Sequence, residues 1–157
     1  MAVDIKRILF PTDFSDLSLH ALSYAREMVS LFDAQLFSIH VIDEAYQYWS
    51  AMGPESVPIG PGVEDLTAMA QAQMERFADE HLVGLSCAPV THVAIGRPFA
   101  EIIRYARENT IDLIVLATHG RGGLAHVLLG STAEKIVRKA PCPVLTVRSA
   151  QHDFVMP

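Results

Sequence analysis

Apolar and polar positions along this chain follow two periods, one suited to strands and one to helices, and the two take turns. Ile5 to Phe10 is a short apolar run ended by Pro11 and reads as a strand. Leu17, Ala21, Tyr24, Ala25, Met28 and Phe32 then recur at helical spacing, which predicts an amphipathic helix from about Leu17 to Leu31. Gln35 to Ile42 is a second strand, Val63 to Val83 a long helix, and Pro89 to Ile95 a third strand closed by Gly96. Pro98 stands where helices accept proline, in the first turn, and that helix runs to about Glu108. Leu113 to Ala117 is a near-continuous apolar strand, Ser131 to Lys139 a fourth helix, and Val144 to Val147 a fifth strand. Methionine and aromatic stripes at helical spacing read as core.

Strict strand–helix alternation implies right-handed crossovers and a mainly parallel sheet. The fold class is therefore α/β: a single doubly wound domain with helices on both faces of a five-stranded parallel sheet. Ligands of such sheets bind beyond the carboxyl ends of the strands, where strand order reverses. If the first and fourth strands are neighbours there, Pro11-Thr12-Asp13 and Ala117 to Gly120 face one crevice. Residues 43–62 break the rhythm with Gly53-Pro54, Pro58, Gly60-Pro61-Gly62 and the aromatics Tyr46, Tyr48 and Trp49. Such a segment reads as a flexible loop, a lid or disordered. The domain is expected over 1–148, with 149–157 a tail lacking a clear element.

Composition narrows the function classes. At 157 residues the chain suits one domain that can bury a core without disulfides or a metal. A net charge of -6 argues against nucleic-acid binding, which usually shows a basic patch. No apolar run approaches a membrane span, and the N-terminus lacks a signal-peptide layout, so the expectation is a cytoplasmic protein without membrane partners. Cys87 and Cys142 form neither a C-x-x-C pair nor a zinc pattern, and each is expected buried or half-buried.

The chemistry concentrates at the joint after the fourth strand, A-T-H-G-R-G-G-L-A-H-V-L-L-G-S-T from Ala117 to Thr132. Gly120 and Gly130 have nine residues between them, and the hydroxyls Ser131 and Thr132 follow. A glycine-rich turn between a parallel strand and a helix N-terminus makes an anion site from free amide N–H groups and the helix dipole, and a phosphate chain is its natural ligand. Ser131 and Glu134 also fit a capping box, so Ser131 could serve only as a cap. Gly120 to Ala125 fits G-x-G-x-x-A, but it follows the wrong strand and lacks the later acidic residue of a dinucleotide fold. There is no P-loop and no G-x-S-x-G elbow. Asp13 either starts a turn and caps the first helix or accepts a hydrogen bond from a ribose or base. Arg121, beside Gly120 and His119, is either a phosphate partner or a solvated charge. His40, inside an apolar strand, reads as a satisfied core residue, and the other histidines make no metal or nucleophile set.

These residues are the ones by which the chain resembles the universal stress protein family, over about Ile5 to Arg148. The likeness rests on F-P-T-D-F-S at Phe10 to Ser15, H-V-I-D at His40 to Asp43 and G-R-P at Gly96 to Pro98. It continues through T-H-G-R-G-G-L at Thr118 to Leu124, L-L-G-S-T-A-E-K at Leu128 to Lys135 and P-C-P-V-L-T-V-R at Pro141 to Arg148. The resemblance implies strand order 3-2-1-4-5, the adenine nucleotide alpha-hydrolase-like (HUP) fold, and a homodimer through Val144 to Val147, an apolar edge strand open to pairing. It implies the ATP-binding-motif branch, whose pattern is G-x-x-G, nine residues, G-[S/T]. Gly120 and Gly130-Ser131 match, while the first glycine falls at Ala117. Alanine there is harmless at negative φ and costs about 1 kcal/mol at positive φ.

By the same resemblance Pro11, Thr12 and Asp13 border the adenosine, the backbone of Val41 reads the adenine edge, and Leu116 and Ala117 lie along the ribose. His119, Gly120, Arg121, Gly130, Ser131 and Thr132 surround the phosphates of ATP, or of AMP or ADP, with Mg²⁺ shared by the phosphate oxygens. Three functions stay open. One is a nucleotide-binding regulatory module in stress response, read by an unknown protein partner. Another is a weak ATPase, expected slow because the site loops offer no lysine. The third is a nucleotide-free dimer with an interaction or chaperone-like role.

Overall fold

The computed structural model describes residues 3–45, 61–119 and 129–148. The strands are β1 (Arg7–Pro11), β2 (Gln35–Asp43), β3 (Val90–Gly96), β4 (Leu113–Ala117) and β5 (Val144–Val147). The helices are α1 (Asp16–Phe32), α2 (Val63–His81), α3 (Pro98–Glu108) and α4 (Ser131–Lys139). Every strand pairing is parallel and the order is β3-β2-β1-β4-β5, as the alternation and the resemblance imply. Expected boundaries hold to within two residues at each end. Residues 46–60, inside the expected flexible loop, and the 149–157 tail lie outside the described residues.

Burial explains why β1 carries no alternation: Ile8, Leu9 and Phe10 are all at 0% exposure, because a central parallel strand is covered on both faces. Ile8, Phe10, Leu36 and Val115 pack against Ala21, Ala25 and Val29 of α1 and Met74 and Phe77 of α2. Leu9, Phe37, Ile39, Ile114 and Leu116 pack on the other face against Ile102 and Ala106 of α3 and Ala133 and Ile136 of α4. Each strand thus sends alternate side chains into two separate cores.

Three expectations about burial fail. The α1 stripe is turned: Ser18, Leu22 and Val29 are buried, while Tyr24 is exposed. The helix sits on the sheet through Ala21 and Ala25, whose short side chains bring its axis close. Met69 of α2 is exposed, since that helix buries only Ala70, Met74 and Phe77. Cys87 is exposed in the turn before β3, whereas Cys142 is half-buried as expected. Burial, and next the Asp112 charge, push the Cys142 thiol above its ordinary pKa.

The order of connection sets the functional end. The chain moves from β1 outward through β2 to β3, then returns across β1 to β4 and β5. The neighbours β1 and β4, in register at Ile8 with Leu113 and Leu9 with Ile114, therefore flank the switch point, and their following segments diverge above it.

Candidate functional site

A cavity of about 560 Å³ opens at that point, within the roughly 300–1,000 Å³ usual for small-molecule sites. Pro11, Thr12, Asp13 and Ser18 line it from the β1 side, and His40 and Val41 from the end of β2. Pro98 and Ile102 of α3 form an apolar wall. Leu116 to His119 and Gly130 to Ala133 close the β4 side, with Ile136 behind them. Ten residues expected from the sequence are brought together: Pro11, Thr12, Asp13, Val41, Leu116, Ala117, His119, Gly130, Ser131 and Thr132. Gly120 and Arg121 lie outside the described residues.

The turn between β1 and α1 is locked by side chains. Thr12 Oγ1 accepts hydrogen bonds from the Phe14 amide at 3.0 Å and from Ser18 Oγ at 2.8 Å. Asp13 Oδ1 accepts from the Ser15 amide at 3.0 Å and from Ser15 Oγ at 2.5 Å. Ser15 in turn caps α1 by accepting from the Ser18 amide at 3.2 Å. Asp13 thus performs the turn-forming role, acting on the helix through the cap residue, and its carboxylate borders the cavity as well.

The joint between β4 and α4 is held differently. The Gly130 amide donates to the Thr118 carbonyl at 2.7 Å, and the Thr118 amide donates to Val147 O at 3.0 Å. A Cβ on Gly130 would stand 3.0 Å from Thr118 O, tighter than an ordinary van der Waals contact, so the close approach of the two backbones favours glycine. Its φ of -65° is ordinary. Gly130, and not Ser131, is the N-cap of α4, with no side-chain cap bond. The expected Ser131–Glu134 capping box is therefore not formed: the bond to Thr118 fixes Gly130 in the cap position and leaves Ser131 as the first helical residue, exposed. The first intrahelical bond runs from Glu134 N to Gly130 O at 2.9 Å. The amides of Ser131, Thr132 and Ala133 precede it and have no intrahelical acceptor.

Ala117 belongs to β4 and pairs with Val147. It is not among the described residues with positive φ, so alanine in place of glycine strains nothing here. His119 Nδ1 lies 3.0 Å from Thr118 Oγ1. The chain's three lysines stand elsewhere: Lys6 pairs with Asp4 before β1, and Lys135 and Lys139 sit over the Phe99 ring at 4.8 and 5.7 Å.

Sequence reading missed His40, Ser18, Thr118, Pro98 and Ile102 as lining residues. His40 is half-buried at the cavity, with Nδ1 2.8 Å from Thr12 O, and is not a core residue. Its place directly before Val41, at the end of a strand, was the available signal. Among the described residues no His, Cys, Asp and Glu cluster could hold a metal ion, and no helix is long and apolar enough to cross a membrane.

Fold and site together define a class: a doubly wound α/β domain with a small-molecule cavity at its switch point, ending on an uncapped helix N-terminus. The sequence pattern of the universal stress protein family matches residues 4–148, and the chain belongs to that family. It is 34% identical over 149 residues to the universal stress protein MJ0531 of Methanocaldococcus jannaschii, covering 94% of this chain and 85% of that one. The solved structure of MJ0577 from the same organism is similar at a TM-score of 0.80 and 30% identity, over 96% of this chain and all of that one. Two more distant structures share the fold alone. One is a universal stress protein in complex with cAMP, with TM-score 0.66, 21% identity, and coverage of 92% of this chain and 98% of that one. The other is the Archaeoglobus fulgidus protein in complex with dAMP, with TM-score 0.62, 18% identity and the same coverage.

Proposed function

We propose that this protein is an adenine-nucleotide-binding regulatory module of the ATP-binding-motif branch of its family, with ATP as ligand. The observation that carries the reading is the meeting, in one cavity, of a polar turn at Asp13 with three unpaired helix amides at Ser131 to Ala133. Adenine and ribose suit the half between the β1 turn, Val41 and the apolar wall of Pro98 and Ile102. Phosphates suit the amides, where the helix dipole favours negative charge. Gly130 also suits the close joint there, since a Cβ on it would press on Thr118 O at 3.0 Å. Distant fold relatives held with cAMP and dAMP support the choice of adenine.

Gly120 and Arg121 complete the phosphate side in this reading, with Mg²⁺ carried by the phosphate oxygens. Turnover is slow, because rapid phosphoryl transfer needs a placed lysine, and the three lysines are committed elsewhere. A homodimer forms through β5, which among the described residues pairs with β4 on one side only. Occupancy of the cavity changes a surface that a protein partner reads.

The test is to denature freshly purified protein, identify any released nucleotide, and titrate ATP with Mg²⁺ into the stripped protein by calorimetry. Bound adenine nucleotide or micromolar affinity is expected. Ser131→Glu places a carboxylate at the phosphates, so ATP binding is lost, yet thermal stability holds because an acid in the first helical turn suits the dipole. No binding by the folded wild type, or normal binding by Ser131→Glu, rejects this site.

A further inference from the structure

We propose that His40 is a positioning residue that ties the end of β2 to the turn after β1, so that both walls of the nucleoside half of the cavity move as one unit. This deepens the nucleotide reading and rests on it for the ligand's identity. The Thr12 carbonyl can only accept, so the 2.8 Å contact requires a proton on His40 Nδ1. Thr12 is then held from β2 at two atoms, since its own amide donates to Ile39 O at 2.9 Å. Its hydroxyl holds the Phe14 amide, and Phe14 sits at φ 62°, in the left-handed region that a bulky residue avoids.

Ring packing adds to that hold. Its centroid lies 4.4 Å from the His40 ring and 5.5 Å from Phe77, which it meets edge-on. His40 therefore acts on the turn twice, by a hydrogen bond to Thr12 and by contact with Phe14. The next residue, Val41, lines the same cavity. A shift of the turn without His40 would move Asp13 relative to Val41 and leave the joint at Gly130 untouched.

Two variants separate the effects. His40→Phe keeps a ring and loses the N–H, and His40→Asn keeps an N–H donor at the position of Nδ1. Calorimetry with adenosine and with tripolyphosphate reads the two halves of the cavity. His40→Phe is expected to weaken adenosine about tenfold, the loss of one hydrogen bond, and His40→Asn by less than about threefold. Tripolyphosphate affinity stays at the wild-type value in both. Equal weakening of both ligands, or unchanged adenosine affinity in His40→Phe, overturns the proposal. Amide exchange in ligand-free protein decides it independently of any nucleotide. Phe14 and Ser15 amides exchange faster in His40→Phe than in His40→Asn, where the N–H donor remains and only the ring contact with Phe14 is lost, and unaltered exchange in His40→Phe overturns the tie. If wild type binds neither adenosine nor ATP while the exchange difference stands, the nucleotide reading alone has failed.

Discussion

Two segments border the cavity, and they hold their shape by different means. Between β1 and α1, Thr12, Asp13, Ser15, Ser18 and His40 form a set of side-chain hydrogen bonds that fixes Phe14 in a left-handed conformation. Between β4 and α4, the described residues are joined at the base by one backbone bond, Gly130 N to Thr118 O, with little room for a side chain beside it. The first segment depends on particular functional groups. The second depends on the lack of one, and the amides of Ser131 to Ala133 have no intrahelical acceptor. Glycine and small hydroxyls thus build a segment whose helix amides stay open, whereas the opposite wall is built of residues that also serve the fold.

Substitutions that damage one segment and spare the other sharpen this contrast. Gly130→Val has the largest expected effect. Its Cβ would meet Thr118 O at 3.0 Å, a tight contact that makes the Thr118 carbonyl give way by a few tenths of an ångström. Strain of ~1–3 kcal/mol opens the joint, and ATP affinity falls by roughly 100-fold while adenosine affinity falls much less. Calorimetry with both ligands checks this, and equal losses would mean that the two segments do not act separately.

Thr12→Val comes next. The variant keeps shape and removes the oxygen that accepts from Phe14 and Ser18, leaving nearly buried donors unpaired. Stability in urea drops by about 2 kcal/mol, and adenosine binding weakens more than tripolyphosphate binding. A drop in stability with no change in either affinity would show that the turn serves only the fold.

Ala117→Gly has the smallest expected effect. Because Ala117 does not need the left-handed region, glycine relieves nothing and lowers stability by about 0.5–1 kcal/mol. ATP affinity stays within about threefold of wild type, as expected of a change that alters one methyl and no hydrogen bond. A large gain in affinity would show that the Ala117 methyl obstructs the ligand.

Much of this was legible from residue order. Apolar periodicity located the nine strands and helices given above among the described residues, and the Gly120-to-Gly130 spacing with Ser131 and Thr132 marked the joint that borders the cavity. The misses have a common origin in tertiary contact. Ser131 followed by Glu134 has the local form of a capping box, but a bond to Thr118 across the joint gives the cap to Gly130. His40 looks like core in an apolar strand, until the strand's last residues are seen to pass the level of the cavity floor. Tyr24 fits the helical stripe by spacing and faces solvent, because α1 is rotated so that Ala21 and Ala25 face the sheet.

The chain's own residue order determined the elements, the α/β class and the chemical character of the joint, since each depends on neighbours a few positions apart. Only the tertiary structure decided that Gly130 lies tight against the Thr118 carbonyl, and that His40 reaches Thr12. Those facts depend on contacts between segments distant in sequence, and the pairing of strands and the packing of helices on two faces set them.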